Sequence, residues 1–134
     1  TNLKAPLFLS QTLAPALKEV AGNIINIIDI HGDRPLKGYA VYSVAKAGLA
    51  MLTRSLAKEL APDIRVNGIA PGAILWPENE AEIAESTKAT IIRQIPLKRQ
   101  GSPQDIGQTA FFLATKAPYI NGQIISVDGG RSLS

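Results

Sequence analysis

Apolar positions along this chain switch between three- and four-residue spacing and short uninterrupted runs, which predicts helices alternating with buried strands. From Asn2 to Val20, Leu7, Leu13, Leu17 and Val20 fall near one helical face. Pro6 sits in the tolerant first turns, Pro15 should kink the interior, and Gly22 ends the helix. The isoleucine-rich run Asn23 to Ile30 lacks polar alternation and reads as a strand buried on both faces. A loop from His31 to Gly38 follows, punctuated by Asp33, Pro35 and Gly38. The strongest helical pattern runs from Tyr39 to Leu60, through Val41, Val44, Ala45, Gly48, Leu49, Leu52 and Leu56, and Pro62 stops it.

A second buried strand, Ile64 to Ala70, leads into Pro71-Gly72. The segment Glu78 to Gln94 is polar with helical stretches, and its run Glu78 to Glu85 reads as a solvated helix end or a flap over a pocket. Ser102-Pro103 caps a further helix through Asp105 and Leu113. A third strand, Gln123 to Val127, ends in Asp128-Gly129-Gly130. Strands separated by helices imply a parallel α/β sheet with right-handed crossovers. Ligands of such sheets bind beyond the carboxyl ends of the strands. Three segments should gather there: Asp29 with its loop, Pro71-Gly72 with Ala73 to Trp76, and Asp128-Gly129-Gly130.

Composition narrows the function classes. The chain has 134 residues, 46% of them hydrophobic, which is enough for a real core. With no cysteine and one histidine, His31, a disulfide framework, a thiolate metal cage and a multi-histidine metal site are excluded. The net charge of +3 is scattered, and only 5% of residues are aromatic, which argues against nucleic acid. No apolar run approaches a bilayer span and no signal-like start is present, so the expectation is a soluble, cytoplasmic protein without a membrane partner.

Few residues offer chemistry. Tyr42 and Lys46 lie one helical turn apart on the same face. An ammonium near a phenol favours the phenolate, so the tyrosine pKa is expected to fall and the group to serve proton transfer near neutrality. An ordinary surface pair has the same spacing. Asp29, at the end of the first strand, is placed to bind a ligand; it equally suits a loop-initiating aspartate that bonds its own backbone. His31 suits a solvated or capping role. Asn26 and Asn67, inside strands, suit satisfying backbone groups and fixing loops. Lys98-Arg99 reads as surface.

Taken in order, the strand ending at Asp29, Tyr42-Ser-Val-Ala-Lys46, Arg65-Val-Asn-Gly-Ile-Ala-Pro-Gly72 and Val127-Asp-Gly-Gly130 resemble a short-chain dehydrogenase/reductase. Pro71-Gly72-Ala-Ile-Leu75, Tyr119-Ile-Asn-Gly122 and Ser132-Leu133, with aspartate where most members carry serine, resemble the pteridine reductases of that family. The resemblance implies the C-terminal part of a Rossmann-like doubly wound sheet, with three strands here. Residues 1–134 would then be the catalytic and interface half of one domain. The glycine-rich phosphate loop would belong to an absent N-terminal half, leaving this half inactive alone.

By the same resemblance, Tyr42 donates the proton. Lys46 lowers its pKa and bonds the nicotinamide ribose of NADPH. Asp29 binds a pterin or folate, and Asn2 helps hold a water relay. Ile27, Pro71, Gly72 and Ile74 join Tyr42 and Lys46 in cofactor binding, and Trp76 stacks on the substrate. The helices Leu3–Val20 and Tyr39–Leu60 would form a homodimer or homotetramer, with Ala45, Ala47 and Gly48 allowing close packing. Reduction of 3-oxoacyl thioesters on the same framework, and a non-catalytic oligomerisation module, are the competing readings.

Overall fold

The computed structural model describes residues 2–76 and 84–134. Three parallel strands lie in the order β1 (Asn23–Ile27), β2 (Arg65–Pro71), β3 (Ile124–Val127). Around them pack α1 (Lys4–Glu19), α2 (Ala40–Leu60), α3 (Glu85–Gln94) and α4 (Pro103–Thr115). Short 3-10 turns cover Ile30–Gly32 and Arg131–Leu133. This is the expected Rossmann-like α/β arrangement. The flap expected at Glu78 to Glu85 falls almost wholly outside the described residues, and α3 begins at Glu85.

Among the described residues, only β2 matches the description of a strand buried on both faces: it has a strand on each side and helices packed over each face. Its Val66 and Gly68 alternate with Asn67 and Ile69, and all are buried. Val66 packs with Ala57 of α2, and with Ala14 and Leu17 of α1, on one face. Ile69 packs with Leu113 and Ala117 at the end of α4 on the other. Gly68 leaves room for Ile28, since a Cβ there would lie 2.6 Å from Ile28 Cδ1 and the isoleucine would have to shift. By contrast β1 ends at Ile27, which is 47% exposed at the sheet edge. The expected strand to Ile30 is thus cut short: Ile28 N–H still donates to Ile69 O, but Asp29 then caps a turn.

The helical stripes are rotated from those expected. On α2 the buried residues are Ser43, Lys46, Leu49, Ala50, Thr53 and Ala57, whereas Val41 and Val44 are exposed. On α1 the inward residues are Ser10, Ala14 and Leu17, and Leu7, Leu13 and Val20 face out. Small and hydroxyl side chains let these helices approach the sheet, so the largest apolar residues are not the innermost. Thr53 illustrates the device: its hydroxyl donates to Leu49 O and accepts from Asn26 Nδ2 at 3.0 Å, pinning α2 to β1. Asn67 fixes the loop before β3 as expected, donating to Ile120 O and accepting from Gln123 N–H. The helix α1 continues past Pro15 to Glu19. As expected, Ser102 caps α4 in a reciprocal box with Asp105.

At the carboxyl ends of the strands the three expected segments meet. Gly72 N–H donates to Val127 O, and a Cβ on Gly72 would lie 2.7 Å from that of Asp128, so only glycine allows this approach. Asp128 in turn accepts from Gly130 N–H and Ser132 N–H, shaping the turn that follows. Burial pushes its carboxyl up, but these bonds outweigh burial and hold it below the ordinary range. Its stabilisation is therefore present above the unfolded value of about 3.9 and is lost as pH falls through the lower folded value. Asp128→Ala is expected to cost about 1–3 kcal/mol at neutral pH. Melting curves of the full-length wild type and variant should converge as the pH falls through the lowered folded-state value.

Candidate active site

Asp29 and Tyr42 meet at the edge of β1. The Tyr42 hydroxyl donates to Asp29 Oδ2 at 2.6 Å, and His31 N–H donates to Oδ1 at 2.9 Å. The carboxylate thus caps its own turn, as the loop-initiating reading expects, and also accepts from the helix thirteen residues on. The turn is seated on α2 at Gly32, where a Cβ would lie 3.3 Å from the main chain of Lys46. Tyr39 at the N-cap starts α2 so that Tyr42 lies in its first turn beside this loop.

Lys46 sits on the buried stripe of α2 and is only 8% exposed. Its ammonium donates to Ile27 O at 3.1 Å and lies 5.8 Å from the centre of the Tyr42 ring. Burial lowers its pKa, and the charge of Asp29 opposes that shift. A lysine on a core-facing stripe retains charge only with a partner, and here one main-chain carbonyl takes one of its three donors.

The expected fall in the Tyr42 pKa is corrected by this geometry. The pKa is raised, first by burial, then by the hydrogen bond to Asp29 and by that carboxylate's charge. The lysine is turned toward Ile27 instead of the phenol oxygen, and Asp29 is the charge in contact. Tyr42 therefore stays protonated through neutrality, and its hydroxyl proton is directed at Asp29.

The remaining candidates divide. Ile27 contributes its carbonyl to Lys46 and a half-exposed side chain at the strand end. Asn2 borders a cleft with Leu3, Val41, Tyr42 and Ala45, on the tyrosine's side. Pro71 and Gly72 lie at the same sheet edge. Ile74 lines a larger open cleft of ≈ 840 Å³ between α4 and β3, which includes none of Asp29, Tyr42 or Lys46, and its carbonyl accepts from Gln100 Nε2. Trp76 packs beside α3: its ring centre is 5.7 Å from Lys88 Nζ, a cation–π contact. Gly48, expected to serve close packing between subunits, already faces Leu3 within the chain.

One participant was missed. Arg34 donates from Nη1 to Arg131 O at 2.8 Å and from Nη2 to Ser134 O at 2.6 Å, clamping the Asp29 loop to the last turn. His31 Nδ1 pairs with Arg34 O at 3.1 Å, which gives this histidine a loop-fixing role. Nothing local marks Arg34, because its partners lie 97 and 100 residues away. The expected surface pair Lys98-Arg99 is exposed, with Arg99 near Asp105. No described helix is long and apolar enough to cross a membrane.

Comparison with known proteins agrees with this geometry. A family model described as enoyl-(acyl carrier protein) reductase matches residues 1–132. Protein FixR of Bradyrhizobium diazoefficiens is 40% identical over 98% of the chain and 47% of its own length. The 3-oxoacyl-(acyl-carrier-protein) reductase FabG of Thermotoga maritima is 38% identical over 96% and 53%, respectively. Pteridine reductase 1 of Leishmania tarentolae is 39% identical over 100% and 49%. The chain thus spans about half the length of these curated relatives. A solved structure assigned as a 2-deoxy-D-gluconate 3-dehydrogenase from Agrobacterium tumefaciens, with bound NADP, superposes with a TM-score of 0.90 at 37% identity, over 99% of this chain and 56% of that one. With the Tyr42–Lys46 helix, the Asp29 edge and a family match along nearly its whole length, the chain belongs to the short-chain dehydrogenase/reductase family of oxidoreductases.

Proposed function

We propose that this chain carries the proton-donating half of an NADPH-dependent reductase acting on pterins, dihydropterins or folates. The observation that carries the reading is the 2.6 Å bond between Tyr42 and Asp29 at the ligand edge of the sheet. A carboxylate there accepts from the adjacent amino and ring N–H groups of a pterin, a match that a simple ketone does not offer. The identity to a pteridine reductase supports it.

The donor set suits a nicotinamide ribose. Lys46 spends one donor on Ile27 O and keeps two for hydroxyl groups. Ile27, Pro71 and Gly72 offer apolar and main-chain surface beside it, with Ile74 next along the turn. When bound, the cofactor supplies hydride. The chain's part is to orient and to move a proton. Asp29 holds the substrate's donor edge and keeps Tyr42 protonated, Tyr42 gives its hydroxyl proton to the ring nitrogen adjoining the carbon that takes hydride, and Lys46 fixes the ribose. Asn2, on the same side as Tyr42, is where a water relay would begin.

The second reading is reduction of 3-oxoacyl thioesters, favoured by an equally similar FabG relative. Full-length protein assayed with NADPH should turn over dihydropterin or dihydrofolate. Turnover of a 3-oxoacyl thioester alone would replace the pterin reading. A full-length protein that fails to bind NADPH would leave only a non-catalytic assembly module.

Asp29→Asn gives a further test. Loss of a charged acceptor is expected to lower kcat/KM for the pterin about 10- to 100-fold. It also removes the carboxylate charge, one of the causes that raise the Tyr42 pKa, while leaving an amide oxygen able to accept the hydroxyl. The alkaline limb of the rate profile should therefore move to lower pH, and an unmoved limb would show that the pair is uncoupled. Assembly as a homodimer or homotetramer through α1 and α2 is part of the same reading, supported by exposed Phe8, Leu9, Val44 and Met51 on those helices.

A further inference from the structure

We propose that Thr53 is a positioning residue: through its bond with Asn26 it holds α2 on β1 at the place where Lys46 reaches Ile27. Among the described residues, two hydrogen bonds join this helix to this strand. Asn26 Nδ2 donates to Thr53 Oγ1 at 3.0 Å, and Lys46 Nζ donates to Ile27 O at 3.1 Å. Their strand ends are neighbours in sequence, and their helix ends lie about two turns apart on the same buried stripe. Together they fix both the height and the rotation of the helix. Without the Thr53 tie, the lysine itself would be the only directional link between α2 and β1.

Lysine is poorly suited to that duty, since its stem is flexible and burial works against its charge. The rest of the stripe offers Leu49, Ala50 and Ala57, whose apolar contacts have no preferred direction. Thr53 is different. It is fully buried, and its single hydroxyl proton goes to Leu49 O at 2.8 Å. Only lone pairs remain toward β1, so Asn26 must present its amide N–H there. Such a polar pair adds little net stability over an apolar pair of the same shape, but it specifies register. Register is what the site needs, because a hydrogen bond from Lys46 weakens steeply with misalignment.

The catalytic consequence rests on the reading of Lys46 as the group that holds the nicotinamide ribose; the effect on the lysine itself does not. The test uses full-length protein carrying Asn26→Leu and Thr53→Val together, which removes both polar partners and leaves neither unpaired. Lys46 reactivity toward limiting acetic anhydride is read by mass spectrometry without cofactor, and NADPH affinity by fluorescence titration. Relative to the other lysines, Lys46 should acetylate at least about threefold faster, and the NADPH dissociation constant should rise about tenfold, with the melting temperature near that of the wild type. Thr53→Ser, which keeps the hydroxyl, should show wild-type values of both. In a Lys46→Met background the same double substitution should no longer change NADPH affinity, whereas a merely structural role would lower it there too. Unchanged Lys46 reactivity overturns the inference, as does a protein that folds only with the Thr53 hydroxyl present. Raised reactivity beside unchanged NADPH affinity, or beside a wild type that does not bind NADPH, upholds the positioning of Lys46 and overturns its ribose-holding role instead.

Discussion

Tyr42→Phe in the full-length protein is expected to lower kcat by about 10²- to 10⁴-fold, the usual contribution of a positioned proton donor. The substitution keeps the ring and removes one oxygen, whose bond in this structure goes to Asp29 Oδ2. Net stability should fall by no more than about 1.5 kcal/mol, since one hydrogen bond is lost at a half-buried position. Asp29 retains its bond from His31 N–H, so its turn should survive. Activity should therefore collapse while the melting temperature barely moves. Because burial and the neighbouring carboxylate raise the phenol pKa, the wild type should show no alkaline-side loss of rate from ionisation of this group through neutral pH. Steady-state rates for both proteins between pH 6 and 9 are the measurement. A variant within fivefold of wild type would mean that the proton comes from elsewhere.

Lys46→Met should separate activity from stability in the opposite sense. Burial lowers the lysine pKa, so the folded state disfavours its ammonium and this position costs stability wherever the lysine is charged. An apolar side chain of similar length fills the same space without that cost. Such replacements are often neutral or stabilising, so the melting temperature should hold or rise despite the lost bond to Ile27 O. Function should fall. Charged hydrogen bonds are worth about 1.5–3 kcal/mol each, which corresponds to a rise of about 10- to 100-fold in the KM for the nicotinamide cofactor of the proposed reaction. Cofactor titration of the full-length protein beside its thermal unfolding tests both halves. A lysine that served only packing would leave the KM unchanged.

Much of this architecture is written in local patterns. The 3.6-residue period of Tyr39 to Leu60, the proline after it and the Ser102-Pro103 cap each reflect backbone energetics confined to a few residues, and each element appears where its pattern placed it. Tyr42 and Lys46 share a face because a helix repeats every four residues, and Asp29 stands at the sheet edge because a parallel strand must deliver its next residue there. Errors arose where the outcome depends on partners. Asn23 to Ile30 looks uniformly buried, yet among the described residues only β2 has a strand on each side. Val41 and Val44 look like core, yet the sheet prefers Ser43, Ala50 and Thr53, whose small side chains permit close approach. The sign of the Tyr42 shift was lost for the same reason. Spacing along a helix brings Lys46 near, but whether its ammonium faces the phenol or a strand carbonyl is decided across the fold.

The Arg34 clamp also bears on how the site comes into being. Its partners are 97 and 100 residues further along, so the contact closes a loop containing both crossovers. The entropy of closing so long a loop is small per added residue, but it is recovered only after the intervening sheet has formed. The Asp29 turn can therefore be shaped early by its own backbone, while its final anchoring waits for β3. Folding probes on Asp29 and on Ser134 should report the same last step.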